Sequence, residues 1–294
     1  MSQHQQGYYL APPSHWPIVG SAALLSLAVG FVMLLNHKVG AAYVILLGFL
    51  ILTFMLFGWF GTVIRESEAG KFNAQVDLSF RWGMSWFIFS EVMFFAAFFG
   101  ALFYTRMISV PWLGEGDTMQ QLWPQFTAQW PTAGPAGLGV APPDTNPPAN
   151  QFSPMGAWGI PAINTLLLLS SGVTVTWAHW GLKKNKRSQL IFGLLLTVIL
   201  GAAFLVLQGV EYHHAYTELG LTMGAGVYGA TFFMLTGFHG FHVMLGTLML
   251  TVIMFRSMAG HFKPDHHFAF EAVSWYWHFV DVVWLGLFIF VYWL

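Results

Sequence analysis

AVSWYWHFVDVVWLGLFIFVYWL, residues 272–294, is an apolar and aromatic stretch long enough to cross a bilayer as a helix. Two ionisable residues, His278 and Asp281, lie inside it. An ionisable side chain in hydrocarbon is costly unless it has a partner or water. Because residues three apart share one face of a helix, these two side chains can touch. The stretch therefore predicts either a site of chemistry or a polar contact that holds helices together.

The composition of the whole chain is that of an integral membrane protein. Of 294 residues, 56% are hydrophobic and only 8% are charged, too few for the surface of a soluble domain. Crossing a bilayer takes about 20 apolar residues. Seven runs meet that length: 16–36, 39–64, 82–105, 157–178, 188–210, 219–255 and 272–294. The sequence predicts an all-α, polytopic membrane bundle of seven transmembrane helices, the first retained because it lacks the flanks of a signal peptide.

The basic residues predict the orientation of the bundle. With seven helices, nine of the 11 Lys and Arg residues fall on the side of the N-terminus, and only Lys38 and Arg106 fall on the other. Positive residues favour the cytoplasmic side. We therefore expect a cytoplasmic N-terminus and a periplasmic C-terminus, in a bacterial inner membrane or, for an organellar chain, the mitochondrial inner membrane.

Loop lengths divide the chain into three predicted parts. Residues 1–15 form a cytoplasmic segment, 16–64 a tight hairpin of helices 1 and 2, and 65–294 a bundle of helices 3–7. The one long connection, 107–156, lies on the outer side and is rich in Pro, Gly and Trp. Long loops are often functional or disordered. Contact with another subunit and a passive role both remain open for it.

Two further places carry polar groups inside predicted helices. Glu91 lies ten residues after Arg81, about 15 Å along the helix among apolar neighbours. Burial there favours a neutral carboxyl that holds a proton, either as a relay or as a hydrogen bond to another helix. His239 and His242 lie one helical turn apart, in a glycine-rich helix. They predict hydrogen bonds between closely packed helices, with a metal or haem ligand pair as the alternative.

Other chemistry finds no support. The chain has no cysteine, which excludes disulfides, thiolate copper sites and covalently attached c-type haem. Its net charge of −1 excludes an overall basic footprint for nucleic acid. We expect no metal site and no catalytic residue in this chain. Arg65 and Arg256 mark inner helix ends, where an arginine suits lipid phosphate as well as simple anchoring.

Six blocks of sequence occur in the order of one known family. They are RES at 65–67, RWGMSWFIFSEVMFF at 81–95, INTLLLLSSGVTVTWAHW at 163–180, LQGVEYHHA at 207–215, GVYGATFFMLTGFHGFHVMLGT at 226–247 and HHFAFEAVSWYWHFVDVVWL at 266–285. Together they resemble cytochrome c oxidase subunit III, from the haem–copper oxidases. The resemblance spans most of the chain.

The resemblance implies a subunit without a redox centre of its own. Helices 1 and 2 would stand apart from helices 3–7 in a V that holds phospholipid. The subunit would pack on subunit I and join subunit II in a hetero-oligomer, with haem a and copper in the partner subunits. It would support assembly, lipid binding and proton uptake by subunit I while electrons pass from cytochrome c to O2.

The resemblance also assigns residues. Glu91 matches a buried carboxyl known for carbodiimide reactivity, which implies a proton-linked role. Arg65, Arg256 and His261 match positions that hold lipid headgroups. His4 or His15 would correspond to surface histidines near a proton entrance. His239, His242, His278 and Asp281 are then structural buried polar groups, the last two forming a polar clasp.

Two other functions remain as alternatives. An independent proton or ion transporter would use Glu91 together with the His278–Asp281 pair. Subunit III of a quinol oxidase is the other alternative, although such relatives usually lack the first two helices.

Overall fold

The computed structural model describes residues 9–294. His4 and most of the predicted segment 1–15 therefore lie outside the described residues. Within the described part, seven helices are long and apolar enough to cross a membrane, which confirms the predicted all-α class and the number of spans. The helices are α1 (Trp16–Leu35), α2 (Ala41–Glu68), α3 (Ala74–Tyr104), α4 (Val110–Gly114), α5 (Asp117–Leu122), α6 (Ile160–Lys183), α7 (Arg187–Thr217), α8 (Gly226–Ala259) and α9 (Phe268–Leu287).

Two spans are extended by π-helical turns. Thr105–Ser109 joins α3 to α4, so the third span runs to Gly114, beyond the predicted start of the outer loop at residue 107. Phe288–Trp293 continues α9 almost to the C-terminus. The loop also contains α5 and two short parallel strands, β1 (Gly139–Val140) and β2 (Gln151–Phe152). The outer loop predicted at 107–156 therefore begins later than expected, and it contains short elements of secondary structure.

The chain forms two compact units, Met1–Arg81 and Trp82–Leu294. In the first unit, α1 and α2 pack as the expected hairpin because glycines let their backbones approach. A Cβ added at Gly30 would lie 2.6 Å from Cγ1 of Ile45, and one at Gly48 would lie 2.8 Å from Cγ of Leu27. Small residues at such contacts increase van der Waals packing, which is a main source of helix association in lipid.

The N-terminal end of the first unit is held by side chains. Trp16 Nε1 donates to Thr62 Oγ1 at 3.4 Å, which ties α1 to α2. The Tyr9 hydroxyl donates to Glu66 Oε1 at 3.0 Å. Partial burial, and next the hydrogen bond to Glu66, raise the pKa of Tyr9. Glu66 thus lies within α2, which extends beyond the predicted end of the hairpin at residue 64, and it bonds Tyr9.

In the second unit, α6 and α7 form an antiparallel pair in constant register. A Cβ added at Gly193 would lie 2.8 Å from that of Ala178, and the Thr174 and Thr197 hydroxyls are 2.7 Å apart. Both pairs fit one antiparallel register, because Thr174 lies four residues before Ala178 on α6 and Thr197 lies four residues after Gly193 on α7. Both helices also contact α9 through side chains, Ser171 of α6 at Trp277 and Phe204 of α7 at Trp284.

Trp277 on α9 is the centre of this unit and has no exposed surface. Its indole Nε1 donates to Ser171 Oγ on α6 at 2.8 Å. Its ring lies against Gly201 of α7 and Gly246 of α8, where an added Cβ would stand 2.8 Å and 2.7 Å from ring carbons. One aromatic side chain therefore contacts three other helices, and two glycines provide the space for it.

Candidate functional site

Glu91 and His242 meet between α3 and α8. Oε2 of Glu91 lies 2.8 Å from Nε2 of His242, within hydrogen-bonding distance. The other ring nitrogen, Nδ1, lies 2.6 Å from the carbonyl oxygen of Phe238 on the preceding turn of α8. The two side chains are largely buried, with 21% and 10% of their surfaces exposed.

This arrangement determines where protons can be. A carbonyl oxygen only accepts, so Nδ1 of His242 must carry a hydrogen and donate it to Phe238. The hydrogen bond between Nε2 and Oε2 then needs one proton, held either by the Glu91 carboxyl or by the imidazole. Movement of that proton along the hydrogen bond, by roughly 1 Å or less, would convert a neutral pair into an ion pair.

Aromatic rings surround the pair. The ring of Phe95 packs edge-on against the His242 imidazole at 5.0 Å, and that of Tyr276 lies nearly parallel to it at 6.3 Å. Phe94 adds a third ring at 5.9 Å. Apolar walls of this kind lower the local dielectric and strengthen the hydrogen bond. The sequence showed Glu91 among apolar neighbours but gave no sign that its partner would be His242.

His239 forms its hydrogen bond with a different helix, α9. Its Nε2 donates to the carbonyl oxygen of Val280 on α9 at 3.1 Å, and the residue is 1% exposed. His242 binds α3 instead, so the two histidines do not point at a common ligand. The prediction that they bridge helices agrees with these contacts, and the alternative of a shared metal or haem loses its geometric basis.

The clasp predicted between His278 and Asp281 is not a hydrogen bond. Nδ1 of His278 lies 3.8 Å from Oδ2 of Asp281, beyond hydrogen-bonding distance. The imidazole bonds α6 instead, with Nε2 3.2 Å from Oγ1 of Thr176, and 45% of its side chain is exposed. Since Thr176 donates to the carbonyl of Gly172 at 2.9 Å, its oxygen accepts from the histidine. The two side chains therefore share a helix face and lie at ion-pair distance, as predicted, while the hydrogen bond of His278 goes to Thr176 on α6.

We expect Thr176→Val to destabilise the second unit by about 1 kcal/mol, the net contribution of a hydrogen bond. The substitution preserves shape but removes the acceptor of His278 on another helix. The control is Thr251→Val, because the Thr251 hydroxyl donates within its own helix, to the carbonyl oxygen of Thr247 at 2.8 Å. Unfolding of the full chain in detergent should separate the two variants. Equal losses would contradict an interhelical role for Thr176.

A second buried carboxyl, Glu211, joins α7 to the end of α9. It has no exposed surface, and the Tyr292 hydroxyl donates to its Oε1 at 2.6 Å. Gln208 donates to the same oxygen at 3.4 Å. Sequence reasoning did not identify either partner of this carboxyl. The spacing of Gln208 and Glu211, three residues apart on one face, was the available signal.

The predicted headgroup residues occupy helix ends. Arg65 lies in the last turn of α2, and its Nε donates to the Gly61 carbonyl at 3.1 Å. Arg256 lies in the last turn of α8, with its guanidinium 4.6 Å from the ring centroid of Phe262. The His261 backbone N–H donates to the Arg256 carbonyl at 3.2 Å, so these two residues are neighbours. Lipid binding at these positions stays a prediction.

Seven apolar spans joined by buried polar contacts define a multi-pass membrane protein of the helix-bundle class. The sequence profile of cytochrome c oxidase subunit III matches residues 6–129 and 140–294. The chain belongs to the cytochrome c oxidase subunit III family, as the sequence blocks suggested.

Individual relatives match over nearly the full length. Cytochrome c oxidase subunit 3 of Marchantia polymorpha is 41% identical over 287 residues, covering 97% of this chain and 96% of the relative. The protein of the same name from Triticum aestivum is 40% identical over all of this chain and 98% of its own length. The one from Homo sapiens is 37% identical over all of this chain and 99% of its own length.

Proposed function

We propose that this chain is the non-redox core subunit III of a proton-pumping cytochrome c oxidase. In this proposal electrons pass from cytochrome c to O2 through haem a and copper held by partner subunits, and this chain holds no catalytic centre. It packs mainly against subunit I, contacts subunit II and is part of the hetero-oligomer. Membership of the subunit III family over almost the whole chain is the observation that carries the proposal.

The Glu91–His242 pair supports a proton-linked role. The carboxyl and the imidazole are hydrogen-bonded at 2.8 Å next to aromatic rings, so a proton can pass between them with little movement of the helices. Such a pair suits a subunit that assists proton uptake by a neighbour. We also propose that four polar residues support assembly and stability, because they lie on or between helices that must stay together for the second unit to form. They are His239, His242, His278 and Asp281.

Lipid binding and membrane placement complete the proposal. Arg65 and Arg256, with His261, would hold phospholipid headgroups at the cytoplasmic side, where guanidinium groups pair well with phosphate. The nine-to-two distribution of basic residues supports a cytoplasmic N-terminus and a periplasmic C-terminus. The membrane would be a bacterial inner membrane, or the mitochondrial inner membrane for an organelle-encoded chain.

The proposal is tested by purification of the tagged chain from its own membrane. We expect subunits I and II to co-purify, with a haem a spectrum that stays with the partners when this chain is stripped off. A stoichiometric haem or copper signal in the stripped chain would overturn the proposal. Flux of protons or ions through liposomes that contain this chain alone would favour the transporter alternative. Co-purification with a quinol-oxidising enzyme would favour the alternative that the chain is subunit III of a quinol oxidase.

Glu91→Gln is expected to leave oxidase turnover largely intact, because electrons do not pass through this chain in the proposal. The amide can still donate to Nε2 of His242, so the contact is kept while the transferable proton is lost. Oxygen consumption and proton release by the variant complex should be measured together. Unchanged oxygen consumption with reduced proton release would support a proton-linked role. Abolished oxygen consumption would contradict a chain without essential chemistry.

A further inference from the structure

Three metal-ligating side chains converge where the end of α6 meets the start of α9. They are His179, four residues before the exposed Lys183, and His267 and Glu271, which lie one turn apart at the start of α9. The two imidazole Nε2 atoms are 3.2 Å apart. Oε1 of Glu271 lies 3.2 Å from Nε2 of His267 and 3.6 Å from Nε2 of His179. We name these three residues the His179 cluster.

The separations fit a tetrahedral metal. Zinc binds imidazole nitrogen and carboxylate oxygen at about 2.0–2.2 Å, which places two ligand atoms of one tetrahedron roughly 3.3–3.6 Å apart. The three distances in the cluster, 3.2, 3.2 and 3.6 Å, lie at or next to that range. Little movement of the side chains is needed for all three atoms to bind one ion.

The remaining nitrogen of His267 makes the bond expected of a metal ligand. Nδ1 donates to the carbonyl oxygen of Lys263 at 3.0 Å. In neutral His267 this leaves a lone pair on Nε2, directed at the other two ligand atoms. A backbone acceptor behind the ring also fixes its tautomer and orientation, as is usual for histidines that bind metal.

Charge and burial favour a cation as the shared partner. A single proton on one nitrogen satisfies one of the three contacts, whereas a cation between them is attracted to all three electron-rich atoms at once. The side chains of His179, His267 and Glu271 are 19%, 8% and 12% exposed, so water screens them little. The nearby positive charge of Lys183 opposes binding, but its side chain is exposed and therefore screened.

We propose that the His179 cluster binds a divalent transition metal of the zinc class, with two imidazoles and one carboxylate as protein ligands. Two imidazoles with a carboxylate suit zinc better than magnesium or calcium, which prefer oxygen. The bound ion would cross-link α6 to α9 at one end of the second unit. The sequence predicted no metal here because His179 and His267 are 88 residues apart and share no motif.

The test is zinc binding by the full chain, purified from its membrane with whatever subunits accompany it. After chelation and dialysis against micromolar ZnCl2, zinc per chain is measured by mass spectrometry. We expect His179→Ala, His267→Ala and Glu271→Gln each to lose one equivalent of zinc, or to bind it at least about tenfold more weakly. The control is His266→Ala, next to the cluster but with a side chain 77% exposed, which should bind zinc like the unaltered chain.

Glu271→Gln keeps the size of the side chain, so it is the variant least expected to disturb folding. Circular dichroism of each variant shows whether its helix content is unchanged. X-ray absorption of the unaltered chain should show nitrogen and oxygen ligands at about 2.0–2.2 Å, including imidazole. The inference is overturned if the cluster variants retain all the zinc of the unaltered chain, if His266→Ala loses as much as His267→Ala, or if the absorption spectrum shows no imidazole. These results do not depend on whether an oxidase co-purifies, so this inference and the proposed function can fail separately.

Discussion

Trp277→Ala should lower the free energy of unfolding of the second unit by about 3 kcal/mol. In detergent or lipid the unfolded side chain stays in an apolar medium, so the usual hydrophobic contribution is small. The loss comes from the cavity, at roughly 24 cal/mol per Å3 for a void of indole size, and from the broken bond to Ser171. Equilibrium unfolding of the full chain in mixed micelles measures this loss.

The matched control for this prediction is Trp275→Ala on the same helix. Trp275 is 36% exposed, whereas Trp277 has no exposed surface. Its removal should cost less than about 1 kcal/mol, because surface changes leave no closed cavity. If both tryptophan variants lose the same stability, Trp277 is not the centre of the unit.

A glycine pair on α8 tests the same contact from the other side. An added Cβ at Gly246 would lie 2.7 Å from the Trp277 ring, whereas at Gly240 nothing lies within 4 Å. Overpacking of this kind costs about 1–3 kcal/mol, so Gly246→Ala should destabilise the unit. Gly240→Ala should be neutral or slightly stabilising, because alanine is the better helix former.

His242→Leu should be the second most damaging substitution, at about 2 kcal/mol. It leaves the Glu91 carboxyl partly buried without its partner, and an unsatisfied buried group costs about 1–3 kcal/mol. Glu91→Gln should cost only a few tenths of a kcal/mol, since the amide can donate to Nε2. The same unfolding experiment compares the two variants.

This comparison also distinguishes the two forms of the pair. If Glu91→Gln costs as much as His242→Leu, the native pair is a carboxylate and an imidazolium, because only the ion pair loses its charge attraction on that substitution. A small cost supports the neutral form. A negligible cost of His242→Leu would show that the contact at 2.8 Å does not stabilise the unit.

The polar residues inside the helices show how far sequence reasoning reached. It selected Glu91, His242 and the pair of His278 and Asp281, because ionisable groups in apolar helices stand out. It paired His278 with Asp281, since residues three apart on a helix share a face, and it left the partner of Glu91 on another helix unidentified. The structure supplies the partners on other helices: Glu91 bonds His242, 151 residues away, and His278, which stays 3.8 Å from Asp281, bonds Thr176, 102 residues away.

The sequence by itself determined the membrane class, the seven spans and the family, because apolar length and ordered blocks are local properties of the chain. It could not determine which polar side chains meet. Each meeting depends on the rotation and depth of helices that pack by close approach at glycines, such as Gly193 against Ala178. The closing stretch 272–294 illustrates this division. Its apolar length predicted a span and its spacing predicted that His278 and Asp281 lie close together, whereas the packing of α6–α8 around Trp277 decided that His278 also bonds Thr176 on α6.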